Sequence, residues 1–502
     1  MYDFSAHFPE TDLDFSIFPV HFDGSDPGQI QELSPQQVQQ AAQLSQPIQD
    51  VSRQWQHYLN ALALSGFENW LASRDQNLSI DREHSSIYQP EIAQIIDSVC
   101  CVKVGQFKIC LINFGKLAGE TVQVPRAIFD LPEYTAHFYV LMKVQEELET
   151  VIISGFLSHQ TWIEQQHQAP LQPNPDWTYS VPFHWFDPDL NRLLLYLRCL
   201  DVVAIPLPES VSRQGSLVEL ASELITRLPQ LQPQPGILTP PLWKILSWEQ
   251  GIVVLSQPQL LQWLYSIQNP TLAVKMDAVA MDAEMGIEGS TIASSSPKLL
   301  IHLSDLFKLL TLPTLNVEGW LRNQLDPIAT QLSWILTPQF SPAPGMRSTS
   351  PLSSSLSASE MRLAEDGYAG MLQALKSQGE TIPDRARLAY RDIQVGEVAL
   401  CLGALTWILD PEEIPEWTLT LILGTPTGNS LPDGLTLRIS DTTEILHEAR
   451  IAPEEECSYL FTRVSGSWSE KFLATISLPS ASEITLPPFG FNPAAEITQS
   501  SS

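Results

Sequence analysis

The stretch WQHYLNALALSGFENWLASRD, residues 55–75, carries two tryptophans, a tyrosine, a phenylalanine and four leucines. Trp55, Leu59, Leu62, Gly66 and Trp70 recur at the spacing of one helical face. Tyr58, Leu64, Phe67 and Leu71 widen that stripe well beyond a coiled-coil seam. A helix this apolar needs a partner surface. The expected partner is a sheet of its own domain, and the alternative is a groove-binding role toward another chain. Upstream, Ser34-Pro35 supplies a cap and a first-turn proline for a helix running to about Leu44, and Pro47 opens the next helix.

The following segments alternate with period two. SVCCVKVGQFKICLINF (98–114) predicts a hairpin turning near Gly105. AHFYVLMKVQEELETVIISGFL (136–157) predicts a second, with Glu146–Glu149 at its turn. YSVPFHWF (179–186) is expected as a short strand, and DPDLNRLLLYLRCLD (187–201) as a helix capped by Asp187-Pro188. Residues 1–208 therefore form an α+β domain of helices and antiparallel sheet, ending at a hinge, IPLPES (205–210). Residues 209–340 are mainly helical, with a mobile loop over 269–298 and a helix over 320–336 kinked near Pro327. Residues 341–360 have the composition of a Ser/Pro-rich linker. Residues 361–490 begin with a helix and continue as short β-rich runs separated by turns, the pattern of an all-β sandwich-like domain. Residues 491–502 read as a disordered tail.

The set W-x-x-Y-L-N-x-L-A-L-x-G-F (Trp55, Tyr58, Leu59, Asn60, Leu62, Ala63, Leu64, Gly66, Phe67), with VPRAIFDLPEYTAHFYVLMKVQEE, GFL and LLLYLRCLD, resembles an uncharacterised cyanobacterial family, domain of unknown function 1822. The resemblance covers most of residues 10–210, and the tail from 384 is similar too. It implies no reaction and no catalytic residue. It does imply genomic neighbours that include alternative sigma factors and caspase-like peptidase proteins, which points toward signalling.

The chain's net charge is -30. Residues 1–50 hold eight Asp or Glu and no Lys or Arg, and 400–460 hold eleven acids against two arginines. Such a surface repels phosphate backbones and anionic lipid, so nucleic acid and membrane are poor partners and a basic protein is a better one. No apolar run is long enough to span a bilayer, and the start lacks a signal-peptide pattern, so a cytoplasmic chain is expected. Its six cysteines lack C-x-x-C spacing and read as reduced thiols. Nothing in the sequence sets an oligomeric state.

Catalytic templates fail one by one. His447-Glu448 begins H-E-x-x-H, but Ile451 stands where zinc needs its second imidazole. Leu117 replaces the hydroxyl that a phosphate loop requires after Gly115-Lys116. Asp282, Glu284 and Gly286 lack the distal glutamate of a calcium loop. No cofactor, metal or catalytic residue is assigned. A pairing of Cys199 with His137 or His184 is the least implausible catalysis, and a buried structural thiol is the plainer reading. The candidate interaction residues are Glu146, Glu147 and Glu149 on the hairpin turn, and Trp162, Trp177 and Trp185, which crowd one region; solvated turn and core packing are the plainer readings of each. The expectation is a non-enzymatic interaction or regulatory protein acting through an acidic surface. The alternatives are an enzyme with a non-motif site, such as a cysteine hydrolase, or a small-molecule sensor with an enclosed cavity in its N-terminal domain.

Overall fold

The computed structural model describes residues 29–114, 120–233, 239–269, 297–337, 375, 382–409, 416–426, 429–452, 457–479 and 483–492. The chain divides into two compact units, 1–211 and 212–502. Helix and strand are both abundant, and the class is α+β.

In the first unit, β1 (Ile30–Glu32) leads into α1 (Pro35–Ser45), which starts on a full capping box between Ser34 and Gln37. The next helix, α2 (Val51–Arg74), begins at Val51 and not at Pro47, because the Asp50 side chain accepts the Arg53 N–H and sets the cap there. Both predicted hairpins form. β3 (Val99–Val104) turns at Gly105, whose φ is +59°, into β4 (Phe107–Asn113). β6 (Phe138–Gln145) and β7 (Thr150–Ser158) are joined through a short 3-10 turn at Glu146–Leu148. With β2 (Ile80–Asp81), which is followed by the short helix α3 (Pro90–Ala93), they make one sheet in the order β1-β7-β6-β4-β3-β2. Pairing is antiparallel throughout except for β4 and β6, which run parallel.

Alternation along β6 decides what each sheet face meets. Phe138, Val140 and Met142 share a core with Leu62, Phe67 and Trp70 of α2. Leu193 and Leu197 of α6 (Leu190–Cys199) join the same core; α6 is capped by Asp189, two residues beyond the predicted cap. The tryptophan-rich stripe is therefore largely a core face. Tyr139 points the other way, toward α4 (Ala127–Asp130) and α5 (His159–Gln168). A two-stranded ribbon lies beside them, β5 (Thr121–Pro125) with β8 (Thr178–Pro182); the strand expected over 179–186 stops at Pro182, and Phe183–Trp185 form a 3-10 turn.

The second unit opens with helices α7 (Gln214–Arg227), α8 (Leu242–Ile245), α9 (Trp248–Leu255), α10 (Pro258–Gln268) and α11 (Pro297–Thr311). The helix expected over 320–336 is absent. Asp326 accepts the N–H groups of Ile328 and Ala329, so Pro327 starts a short helix instead of kinking a long one, and left-handed backbone at Asn323 and Ser333 breaks the rest. Two small strands flank these turns, β9 (Leu315–Asn316) and β10 (Ile335–Leu336), and both belong to the sandwich that follows.

One layer of that sandwich is β10, β11 (Arg387–Val395), β12 (Val398–Ile408), β13 (Glu416–Gly424) and β16 (Tyr459–Ser467), in that order. The other is β15 (Ile445–Arg450), β14 (Thr436–Ser440), β17 (Lys471–Ser477), β19 (Phe489–Gly490) and β9, with β18 (Ile484–Thr485) paired to β17. Their shared core includes Trp320, Trp334, Trp417, Phe472 and Phe489. β12 and β13 are buried on both faces because Leu388, Leu405, Trp407 and Ile422 pack outward with Leu375 in a second cluster. The loop expected over 269–298 lies outside the described residues except at its ends. So do the linker over 341–360, the helix after it apart from Leu375, and all of the tail but Phe491 and Asn492.

Candidate functional site

Among the described residues, a cleft of about 440 Å³ lies between α1, α2 and the chain that follows β2. One face of α2 forms its wall. His57, Ala61, Leu64 and Glu68 recur every three or four residues and so share one side of the helix. Ala41 and Leu44 of α1 close it from one flank, and Ile87 and Pro90 from the other. The small Ala41 and Ala61 side chains leave room where larger ones would fill the space.

Polar groups gather on its rim. The Arg82 guanidinium donates to Glu68 Oε2 at 2.5 Å and, more weakly, to the Tyr88 hydroxyl at 3.4 Å. Burial pushes the Glu68 carboxyl up from its ordinary value, and the Arg82 charge opposes that shift. Glu68 Oε1 is buried and has no hydrogen-bond partner. Deeper in, burial lowers the His57 imidazole to about 4 against the opposing backbone of Leu44 and Ile87, so it is neutral at pH 7.

None of these polar residues was singled out from sequence, although those at positions 57, 65 and 68 interrupt the apolar stripe on one side of the helix and were a legible signal. The residues that were singled out fall into two places. Trp162 and Trp185 are buried and meet edge-on, centroids 5.9 Å apart; Trp162 stacks on Phe129 at 3.7 Å and packs against Tyr179. Asp130 ties this cluster to its surroundings, accepting from Arg126 and from the Tyr179 hydroxyl, which burial, then Asp130, pushes up to about 12. Trp177, half-buried with a φ of +59°, occupies the turn before β8, where its carbonyl accepts the Arg126 N–H.

Glu146, Glu147 and Glu149 are exposed on the β6–β7 turn, with Glu149 in left-handed backbone. Their charge reaches α2. The Tyr58 hydroxyl is raised above its ordinary value by burial, then by Glu146 and Glu149. Tyr58 in turn packs against Trp55, centroids 5.4 Å apart, and Trp55 is 46% exposed. The end of the stripe thus emerges from the core as an aromatic pair, with the Tyr58 hydroxyl within the field of Glu146 and Glu149.

The catalytic alternatives find little geometry. Cys199 is exposed at the end of α6, contrary to its reading as a buried thiol, because Leu193 and Leu197 take the inward positions. Among the described residues no hydrogen bond joins it to a histidine. His137 is spent accepting the Lys108 N–H, and burial lowers it to about 4. His447 and Glu448 lie on strand β15, where neighbouring side chains face opposite ways. Among the described residues no group of His, Cys, Asp or Glu converges as a metal would require, and no helix is long and apolar enough to cross a membrane.

The bulge between Val99 and Val102 brings the Cys100 and Cys110 sulfurs to 3.6 Å within the core. The Cys110 thiol and burial hold Cys100 well above the ordinary thiol range, and burial pushes Cys101 to about 11. Maleimide at neutral pH is therefore expected to modify Cys199 in the folded chain, and Cys100 and Cys110 only after unfolding. Peptide mapping by mass spectrometry checks this, and fast native labelling of Cys100 would contradict the buried bulge.

The sequence profile of one family, described as Protein of unknown function (DUF1822), matches residues 32–484. No curated protein and no solved structure matches the chain.

Proposed function

Because the chain belongs to the DUF1822 family over nearly its whole length, and that description names no activity, we propose from its own surface that it is a non-enzymatic interaction protein that binds a basic segment of a partner protein. The observation that carries this reading is the half-exposed Trp55, packed on Tyr58, whose hydroxyl feels the charges of Glu146 and Glu149. Exposed Val51 on the same helix and Leu148 at the turn's tip add apolar area. Carboxylates would pair with Lys or Arg head groups, the Trp55 face would take a cation, and the side-chain stems would lie along the apolar surface. A basic segment of an alternative sigma factor is the first candidate, given the genomic neighbourhood that the family implies. We place the protein in the cytoplasm, a reading supported by six cysteines that lack C-x-x-C spacing in a chain of this length.

A Lys/Arg-rich helical peptide titrated against the full chain, read by tryptophan fluorescence, tests the idea. Salt-sensitive binding is expected, weakened about tenfold or more, roughly 1.4 kcal/mol, by Trp55→Ala or by changing Glu146, Glu147 and Glu149 to Gln. All four are exposed, so folding is spared. Equal binding by wild type and both variants would overturn the proposal, as would capture of no basic protein from the native lysate at low salt.

A further inference from the structure

We infer that Cys100 on β3 and Cys110 on β4 form a reversible disulfide, a redox-driven clamp near the edge of the first unit's sheet. This goes beyond the partner surface proposed above and shares no residue with it. Its ground is the bulge. Val99 pairs with Leu111 and Val102 with Ile109, so Cys100 and Cys101 together oppose the single residue Cys110. Val99, Val102, Ile109 and Leu111 all join the core shared with α2. Cys100 and Cys110 take the other face, and their sulfurs stand 3.6 Å apart.

A disulfide bond is about 2.05 Å long, so an approach of about 1.5 Å closes it. The bulge can supply that movement, because its extra residue is not held by the ladder. Cys101 carries the extra length in left-handed backbone, φ +61°, which a residue with a side chain rarely adopts.

Neither sulfur has surface of its own, so the oxidant must be small and an opening must admit it. β2 covers β3 only at Lys103 and Val104. Over Cys100 the edge is closed by a 3-10 turn, Ser86–Tyr88. Its hold on the strand is the Ser86 hydroxyl, which accepts the Cys100 N–H at 2.8 Å and donates to the Ser98 carbonyl at 3.3 Å. Local opening there costs less than breaking a strand ladder. Hydrogen peroxide, uncharged and little larger than water, is the matching oxidant. One thiol attacks the O–O bond and becomes a sulfenic acid, releasing water. The second thiol displaces the hydroxyl, forms the S–S bond and releases a second water. Two electrons pass from the sulfurs to the peroxide, and an added dithiol returns them by exchange, restoring both thiols.

The reduced full chain, treated with hydrogen peroxide in native buffer, tests this. Trypsin cuts after Lys103 and Lys108, so the disulfide joins two otherwise separate peptides, 83–103 and 109–116. Mass spectrometry of the alkylated, unreduced digest should find the joined species in most wild-type chains and in Cys101→Ser. Dithiothreitol and Cys110→Ser should each abolish it. Exposed Cys199 reports that the peroxide has acted. Oxidised Cys199 without the joined species overturns the assignment, as does a joined species that disappears in Cys101→Ser. A second readout needs no substitution. Oxidised wild type should unfold at higher urea than reduced wild type, since the cross-link constrains the unfolded chain; equal midpoints overturn the clamp.

Discussion

Arg438→Met is expected to lower the stability of the second unit by about 3–5 kcal/mol. Arg438 on β14 donates from Nε and Nη2 to the two carboxylate oxygens of Asp305 on α11, at 3.0 and 3.3 Å, with side-chain exposures of 8% and 1%. Ser440 adds a third hydrogen bond to Asp305 at 2.8 Å. Removing the guanidinium leaves a buried carboxylate with one hydroxyl donor. Lys308 stands 3.9 Å away, but its ammonium is held by Glu483 and Thr485. Breaking one half of a buried pair is costly because the surviving charge cannot be solvated. Replacing both halves by apolar groups of similar volume is often nearly neutral. The double variant Asp305→Leu/Arg438→Met should therefore be more stable than Arg438→Met alone. Urea unfolding of the full chain, with fluorescence separating the two units' transitions, measures both. A loss below about 1 kcal/mol in the single variant, or an additive double variant, would mean that the pair is hydrated in solution.

Much of the first unit could be read from sequence because its signals are local. The Ser34-Pro35 cap, the Gly105 turn and the alternation through Phe138, Val140 and Met142 each act within a few residues, and each formed as expected. The parallel pairing of β4 with β6 was not legible, since it joins strands separated by β5 and α4 and depends on which face of each strand finds α2. The stretch 320–336 misled for a related reason. Its apolar residues recur at helical spacing, yet Trp320 and Trp334 serve a sandwich core built mostly from residues beyond 386, and the Asp326 cap overrides the period. The cleft was half legible. His57 and Glu68 interrupt the stripe at helical spacing, but Arg82 and Tyr88 arrive through a turn whose path no periodicity encodes. For the tryptophans of the aromatic cluster, crowding in sequence left core packing as the plainer reading and a groove as the alternative; in the fold, Trp162 stacks on Phe129 and packs against Tyr179.

Gly66→Ala should destabilise the first unit by about 1–3 kcal/mol or more, although alanine is the better helix former. Gly66 sits within α2, where glycine costs about 1 kcal/mol relative to alanine. A β-carbon added there would lie 2.5 Å from Val151 Cβ and 2.8 Å from each of its γ-carbons. Flexible side-chain ends can swing aside from such a contact; a β-carbon fixed to the backbone of β7 cannot. The helix must lift from the sheet, which loosens Leu62, Phe67 and Trp70 against Val140 and Val151. Propensity returns at most about 1 kcal/mol, so the clash wins. The pattern of rescue distinguishes this cause from a general intolerance of α2. Val151→Ala removes both γ-carbons but keeps the nearest atom, so Gly66→Ala/Val151→Ala should remain well below Val151→Ala alone. Val151→Gly removes all three, so Gly66→Ala on that background should be neutral or stabilising. Thermal and urea unfolding of the five variants beside wild type measure the coupling. If Gly66→Ala is stabilising in the wild-type background, α2 does not lie on β7 at this distance, and the cleft and the Trp55 edge, both positioned by the same helix, lose their footing with it.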